Sequence, residues 1–180
     1  MSPNLPTPNF NDLLFQVAEK TFGELAFLLV EPDEIAQSKR PADPRWGYAT
    51  RVEFTGPFNG EMHIKITEEM LLPLATNMLG IDEYEELPEG VKLEDALKEL
   101  VNVTCGNLLP VLGGDQAVFH IDAPILSADA TLPLPESLAL TGQTLLHLDV
   151  GSAHISLFLD PQVDLSAATR QPETETEARS

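Results

Sequence analysis

The 180-residue sequence predicts an α+β fold: a pseudo-symmetric duplicated unit, with a mostly antiparallel sheet and two long helices packed on one face. Three observations predict it. Two segments, one opening near Asn9 and one at Asp95, place apolar residues at helical spacing. Stretches between and after them alternate as strands do and are separated by Gly, Pro and Asp. The two helical segments also match one another at an offset of 83 residues.

Residues 1–8 are proline-rich and expected to be disordered, residues 9–161 to form one domain, and residues 162–180 to be a disordered acidic tail with little to bury. Asn9 and Asn11 are good N-caps for a first helix running to Leu29. A polar loop with Pro32, Pro41 and Pro44 follows, and its Trp46 is expected to pack over a core edge. Gly47–Phe54 and Glu61–Ile66 read as two strands joined by the Gly56–Gly60 hairpin connection. Thr67-Glu-Glu opens a helix from Glu68 to Leu79, which stops at Gly80. After the acidic loop 82–90, the second long helix is expected to end near Pro110, with Gly113-Gly114-Asp115 as the turn out of it. Short β-like runs follow at Ala117–Ile121, Pro124–Ser127, Leu138–Leu140, Leu145–Val150 and His154–Leu159, the last two forming a hairpin.

Composition removes several function classes. The formal net charge of −19 argues against nucleic acid, which needs clustered Lys and Arg, and against an anionic membrane surface. A free phosphorylated metabolite is repelled at long range too, so a phosphate handled here should arrive with its own cation. The single cysteine, Cys105, excludes an internal disulfide framework and reads as a packed thiol in a reducing compartment. The N-terminus has neither a basic n-region nor an apolar h-region, and no apolar run approaches the roughly 20 residues of a membrane span. The expected location is cytoplasmic. His63, His120, His147 and His154 all fall in strands without tight ligand spacing, so no metal site is expected. The sequence has no phosphate-binding Gly-rich loop and no Gly-x-Ser-x-Gly elbow.

The segment after Asp95 carries the chemistry. As a helix it puts Asp95, Glu99, Asn102 and Gly106 on one face. Leu93, Leu97, Leu100, Val101, Thr104, Leu108 and Val111 form the opposite, core-facing stripe. The outward face thus offers a carboxylate, a carboxamide one turn on, and a glycine that leaves the backbone open to close approach. The offset of 83 lays Asp12 on Asp95, Leu14 on Leu97, Thr21 on Thr104, Gly23 on Gly106 and Leu25 on Leu108. It also sets Val17 against Leu100 and Leu28 against Val111 in the stripe. The copies differ in one respect: Gln16 stands at the place of Glu99 and Glu19 at the place of Asn102, reversing amide and carboxylate.

This pattern resembles the CheC/CheX family of chemotaxis phosphatases. Its signature of Asp or Ser, Glu four positions on and Asn three further matches Asp95, Glu99 and Asn102, with Pro124 at the place of the later proline. The hairpin Gly56-Pro-Phe-Asn-Gly-Glu-Met-His-Ile-Lys-Ile, followed by Thr67-Glu-Glu-Met and Met78-Leu-Gly80, also resembles the family, and the likeness covers about residues 10–160. With one intact motif, in the second half, the chain is more similar to CheX than to CheC. The resemblance implies hydrolysis of the aspartyl phosphate of a CheY-type response regulator. Asn102 would hold the attacking water and Glu99 would pair with the regulator's active-site lysine. Asp95 and Gly106 would serve binding, and Mg²⁺ would be supplied by the regulator rather than by a cofactor of this chain. It also implies a homodimer with a continuous or swapped sheet. A non-catalytic module that docks receiver domains on the same fold is the alternative.

Overall fold

The computed structural model describes residues 9–31, 44–82 and 86–163. The expectations for residues 1–8, for most of the proline loop and for the tail past Val163 lie outside them.

Helix α1 spans Phe10–Ala26. Asn9 caps it, its Oδ1 accepting from the Asn11 N–H at 3.2 Å. Strands β1 (Trp46–Thr55) and β2 (Gly60–Thr67) form the expected hairpin. Gly60 is required there, because a Cβ would collide with the Phe54 ring and with Leu159. A 3₁₀ turn at Glu68–Met70 leads into α2 (Leu71–Leu79), which ends at Gly80 with φ 64°. Helix α3 covers Leu93–Gly113. Two short strands follow, β3 (His120–Ile121) and β4 (Ile125–Ser127), and then the hairpin of β5 (Ala139–Leu148) and β6 (Gly151–Leu159).

The strands form one antiparallel sheet in the order β3-β1-β2-β6-β5, with β4 also pairing β1. The duplication is visible in this arrangement. Each half is a long helix followed by a hairpin, and the halves meet at the β2–β6 pair, where Ile64 lies opposite Ile155. Helix α1 packs on β5 and α3 on β1, so each helix covers the outer strand of the other half's hairpin. The two helices also pack on each other. Between helices and sheet lies one core in which Leu14, Ala18, Phe22, Leu97, Leu100, Val101 and Cys105 meet Met62, Ile64, Ile155 and Leu157.

The structure corrects several boundaries. Helix α1 stops at Ala26, not Leu29. Phe27 turns left-handed at φ 53°, and the Leu28 N–H closes back on the Phe22 carbonyl at 3.1 Å, a left-handed stop made without the usual glycine. Leu28 is thereby tucked into the core, whereas its partner in the repeat, Val111, is 39% exposed on the last turn of α3. Val111 therefore does not belong to the core stripe. Helix α3 passes through Pro110 to Gly113, since the proline costs only one hydrogen bond so near the end. The runs at 138–140 and 145–150 are one strand, β5, with an irregularity between Leu140 and Gly142 where Gly142 sits close against Phe10. The run at 117–121 pairs only over His120–Ile121. Thr67 makes no side-chain cap; its Oγ1 instead accepts from the Ser152 N–H at 3.1 Å, linking the two hairpins.

The sheet face turned away from the helices holds a polar cluster. Glu61 and His63, each 4% exposed, meet at 2.5 Å, and Arg51 bridges Glu61 and Glu53 at 3.0 and 2.7 Å. Burial pushes the His63 imidazole below its ordinary pKa despite the pull of Glu61. The folded chain thus keeps His63 neutral where the unfolded chain, near pH 6.5, takes up a proton, so stability is present above that pH and falls as pH drops below it. Thermal melts are expected to shift downward from pH 7 to pH 5.5, and His63→Gln should shrink that slope. An unchanged slope in the variant would contradict this assignment.

Candidate active site

Helix α3 places the four motif residues in a line along its solvent side. Its first turn carries Glu94 and Asp95, favourable next to the positive helix end. Asp95 is exposed and its Oδ1 accepts from Lys98 Nζ at 2.8 Å. The Lys98 ammonium, by that bond and by its charge, holds the Asp95 carboxyl below its usual range. Glu99, one turn on, is exposed.

Asn102 is half-buried, and its carboxamide oxygen is enclosed with no hydrogen-bond partner among the described residues. Buried polar atoms are nearly always paired, and leaving one unpaired costs about 1–3 kcal/mol. Gly106 follows, and a Cβ built on it meets nothing within 4 Å. Pro110, one turn further, has no N–H to give the Gly106 carbonyl. The face therefore runs from a tethered carboxylate, through an exposed one, to an under-satisfied amide beside bare backbone.

The opposite side explains why this face is held outward. Leu97, Leu100, Val101, Thr104 and Cys105 are all fully buried. Thr104 Oγ1 donates to the Leu100 carbonyl at 2.7 Å, and its counterpart Thr21 donates to the Val17 carbonyl at 2.8 Å. Matched residues thus make matched bonds in the two helices. Cys105 lies on the core side, where burial pushes its thiol up to about 12, so it is a packing group and not a nucleophile.

Sequence reasoning missed Asn107. Its Nδ2 donates to Thr21 Oγ1 at 3.0 Å and ties α3 to α1 just beyond Gly106. Glu24 stands at its place in the repeat, so the offset gave no hint of that bond.

In the first copy Asp12, Gln16 and Glu19 are exposed, and a Cβ on Gly23 would come no nearer than 4.0 Å to its neighbour, the Leu28 carbonyl oxygen. Neither glycine has a packing reason among the described residues, yet each weakens its helix. Gly23→Ala and Gly106→Ala are each expected to raise stability by about 0.5–1 kcal/mol in urea unfolding. A fall in stability would mean that the open space is not open.

The groups present suit hydrogen bonding and charge recognition at an exposed helix. Among the described residues, no grouping of three His, Cys, Asp or Glu could hold a metal ion, and no helix is long and apolar enough to cross a membrane.

A sheet of paired hairpins carrying two matched helices, with an acid and an amide displayed on one of them, defines a class of known proteins. The chain matches the family described as chemotaxis phosphatase CheX over residues 48–145, more than half its length, and belongs to that family. The matched region contains α3 and all four motif residues. No curated protein sequence matches it. Among solved structures it is similar to the chemotaxis protein CheX of Vibrio vulnificus, with TM-score 0.59 and 18% identity, covering 87% of this chain and 100% of that one. CheX of Desulfovibrio desulfuricans gives TM-score 0.59 and 15% identity over 83% and 97%. CheX of Borrelia burgdorferi, solved as a complex with CheY, BeF₃ and Mg²⁺, gives TM-score 0.54 and 13% identity over 83% and 96%. At these identities the structural likeness speaks for the fold alone.

Proposed function

We propose that this chain dephosphorylates the aspartyl phosphate of a CheY-type response regulator, with Asn102 holding the attacking water. The observation that carries the reading is the Asn102 carboxamide: it lies between exposed Glu99 and open Gly106, and its oxygen has no internal partner among the described residues. The last torsion of an asparagine is broad, so a turn about it presents that oxygen outward. A carboxamide then accepts a hydrogen bond from water through oxygen and donates through nitrogen, without adding charge to an anionic site.

Phosphoryl transfer needs little covalent help. It needs an in-line water and electrostatic support for a loose transition state. The receiver brings the Mg²⁺ and a lysine, which suits a chain of net charge −19. Glu99 meets that lysine and fixes the docking register. Asp95, already held by Lys98, borders the contact, and Gly106 lets the receiver backbone approach. Receivers act in the cytoplasm, so the reading places the protein there. Its direct test is phosphate release from phosphorylated receivers of the same cell.

The homodimer belongs to the same proposal. Strand β5 is ten residues long and carries exposed Leu140 and Leu145; its outer edge meets the Val30–Leu148 bridge near one end and the Asn11 side chain, whose Oδ1 accepts from the Gln143 N–H at 2.9 Å, near the other. Such an edge is a template for another strand. Light scattering should return the mass of two chains; the mass of one would contradict the dimer.

A further inference from the structure

We propose that the outward face of α1 is a second receiver-docking face, one that holds an unphosphorylated, Mg²⁺-loaded receiver and does not hydrolyse. The inference rests on the function proposed for α3. It stands on the pairing of geometry with a reversed charge.

The geometry is duplicated beyond the sequence match. Helix α1 lies on β5 as α3 lies on β1, and Leu14, Ala18 and Thr21 are buried as Leu97, Val101 and Thr104 are. Asp12, Gln16 and Gly23 are therefore presented as Asp95, Glu99 and Gly106 are, while Glu19 stands further out in solvent than the half-buried Asn102. Asp12 is tethered at the head of the helix, accepting from Asn9 Nδ2 at 2.7 Å, as Asp95 is tethered by Lys98. Gln16 and Glu19 are exposed. An ordinary solvated helix face would account for these three residues, but not for Gly23. A glycine inside a helix weakens it, and the space around Gly23 asks for none among the described residues. The remaining use for a missing side chain on an exposed face is close approach by another molecule, as at Gly106.

The charge order selects the occupant. Where α3 offers the neutral amide of Asn102, α1 offers the carboxylate of Glu19. A phosphoryl group brought to that place meets a like charge; a receiver pocket holding Mg²⁺ without phosphate lacks that repulsion and offers the cation to the carboxylate. Where α3 offers Glu99, α1 offers Gln16, which can hydrogen-bond a lysine but not neutralise it. The α1 face would thus keep the product form of the receiver, and α3 the phosphorylated form.

Calorimetric titration of the full chain with a Mg²⁺-loaded CheY-type receiver, with and without beryllofluoride as the phosphoryl mimic, tests this. The wild type is expected to bind two receivers per chain, and beryllofluoride to weaken one of the two events tenfold or more. Gly23→Gln, a bulky helix-compatible change into open space, is expected to leave one event. Glu19→Asn is expected to remove the discrimination against beryllofluoride at that event. One receiver per wild-type chain, two events in Gly23→Gln, or unchanged discrimination in Glu19→Asn would each overturn the inference. Failure of the α3 reading shows elsewhere: the lifetime of the phosphorylated receiver would be unaffected by the wild-type chain.

Discussion

Asn102→Ala is expected to lower kcat for phosphate release by about 100-fold or more, while the dissociation constant for the phosphorylated receiver moves by less than about threefold. The split follows from where the amide acts. A group that holds water in line is used on the way to the transition state, and its loss removes little from the docked ground state. The fold should be indifferent or gain slightly, because the substitution deletes an acceptor that has no partner among the described residues. Single-turnover decay of the phosphorylated receiver, set beside its binding isotherm, reads both quantities. A mutant that turns over normally, or that loses binding in proportion to rate, would remove Asn102 from the role given to it.

Glu99→Lys is expected to act on the other quantity. The exposed glutamate faces the receiver's lysine in the proposed complex, and reversing its charge sets two cations against each other in a closed contact. Removing one partner of such a pair costs several kcal/mol, so affinity should fall by about two orders of magnitude. The melting temperature should not move, since Glu99 packs against nothing that the core needs. Affinity measured at two salt concentrations checks the electrostatic origin, because an exposed charge contact is screened. Unchanged affinity would mean that Glu99 does not enter the interface.

Much of the site was legible in the sequence because it is periodic. The core stripe of α3 and its four-residue outer face follow from 3.6 residues per turn, and each member except Val111 lies where that period puts it. The cap at Asn9 and the hairpin at Gly56–Gly60 were legible from residue types with local causes. The duplication was legible in the helices. It became clear in space, where each helix covers the other half's outer strand.

What escaped depends on partners distant in sequence. The stop of α1 rests on Phe27 in a left-handed conformation, which its identity does not signal. The continuity of β5 through Gly142 depends on Phe10, and the Asn107–Thr21 bond spans 86 residues. The unpaired oxygen of Asn102 could not be read from spacing at all. It is a property of how the side chain settles against its own helix and neighbours, which enclose the oxygen without pairing it among the described residues.

The most direct measurement is the lifetime of the aspartyl phosphate on a cognate receiver, with Mg²⁺ present, as the wild-type chain is raised to saturation. The lifetime is expected to shorten steeply with occupancy and to return to the intrinsic value when Asn102→Ala is used instead. A saturated receiver that loses its phosphate at its own intrinsic rate would make the chain a docking module, and would contradict the catalytic role of the α3 face.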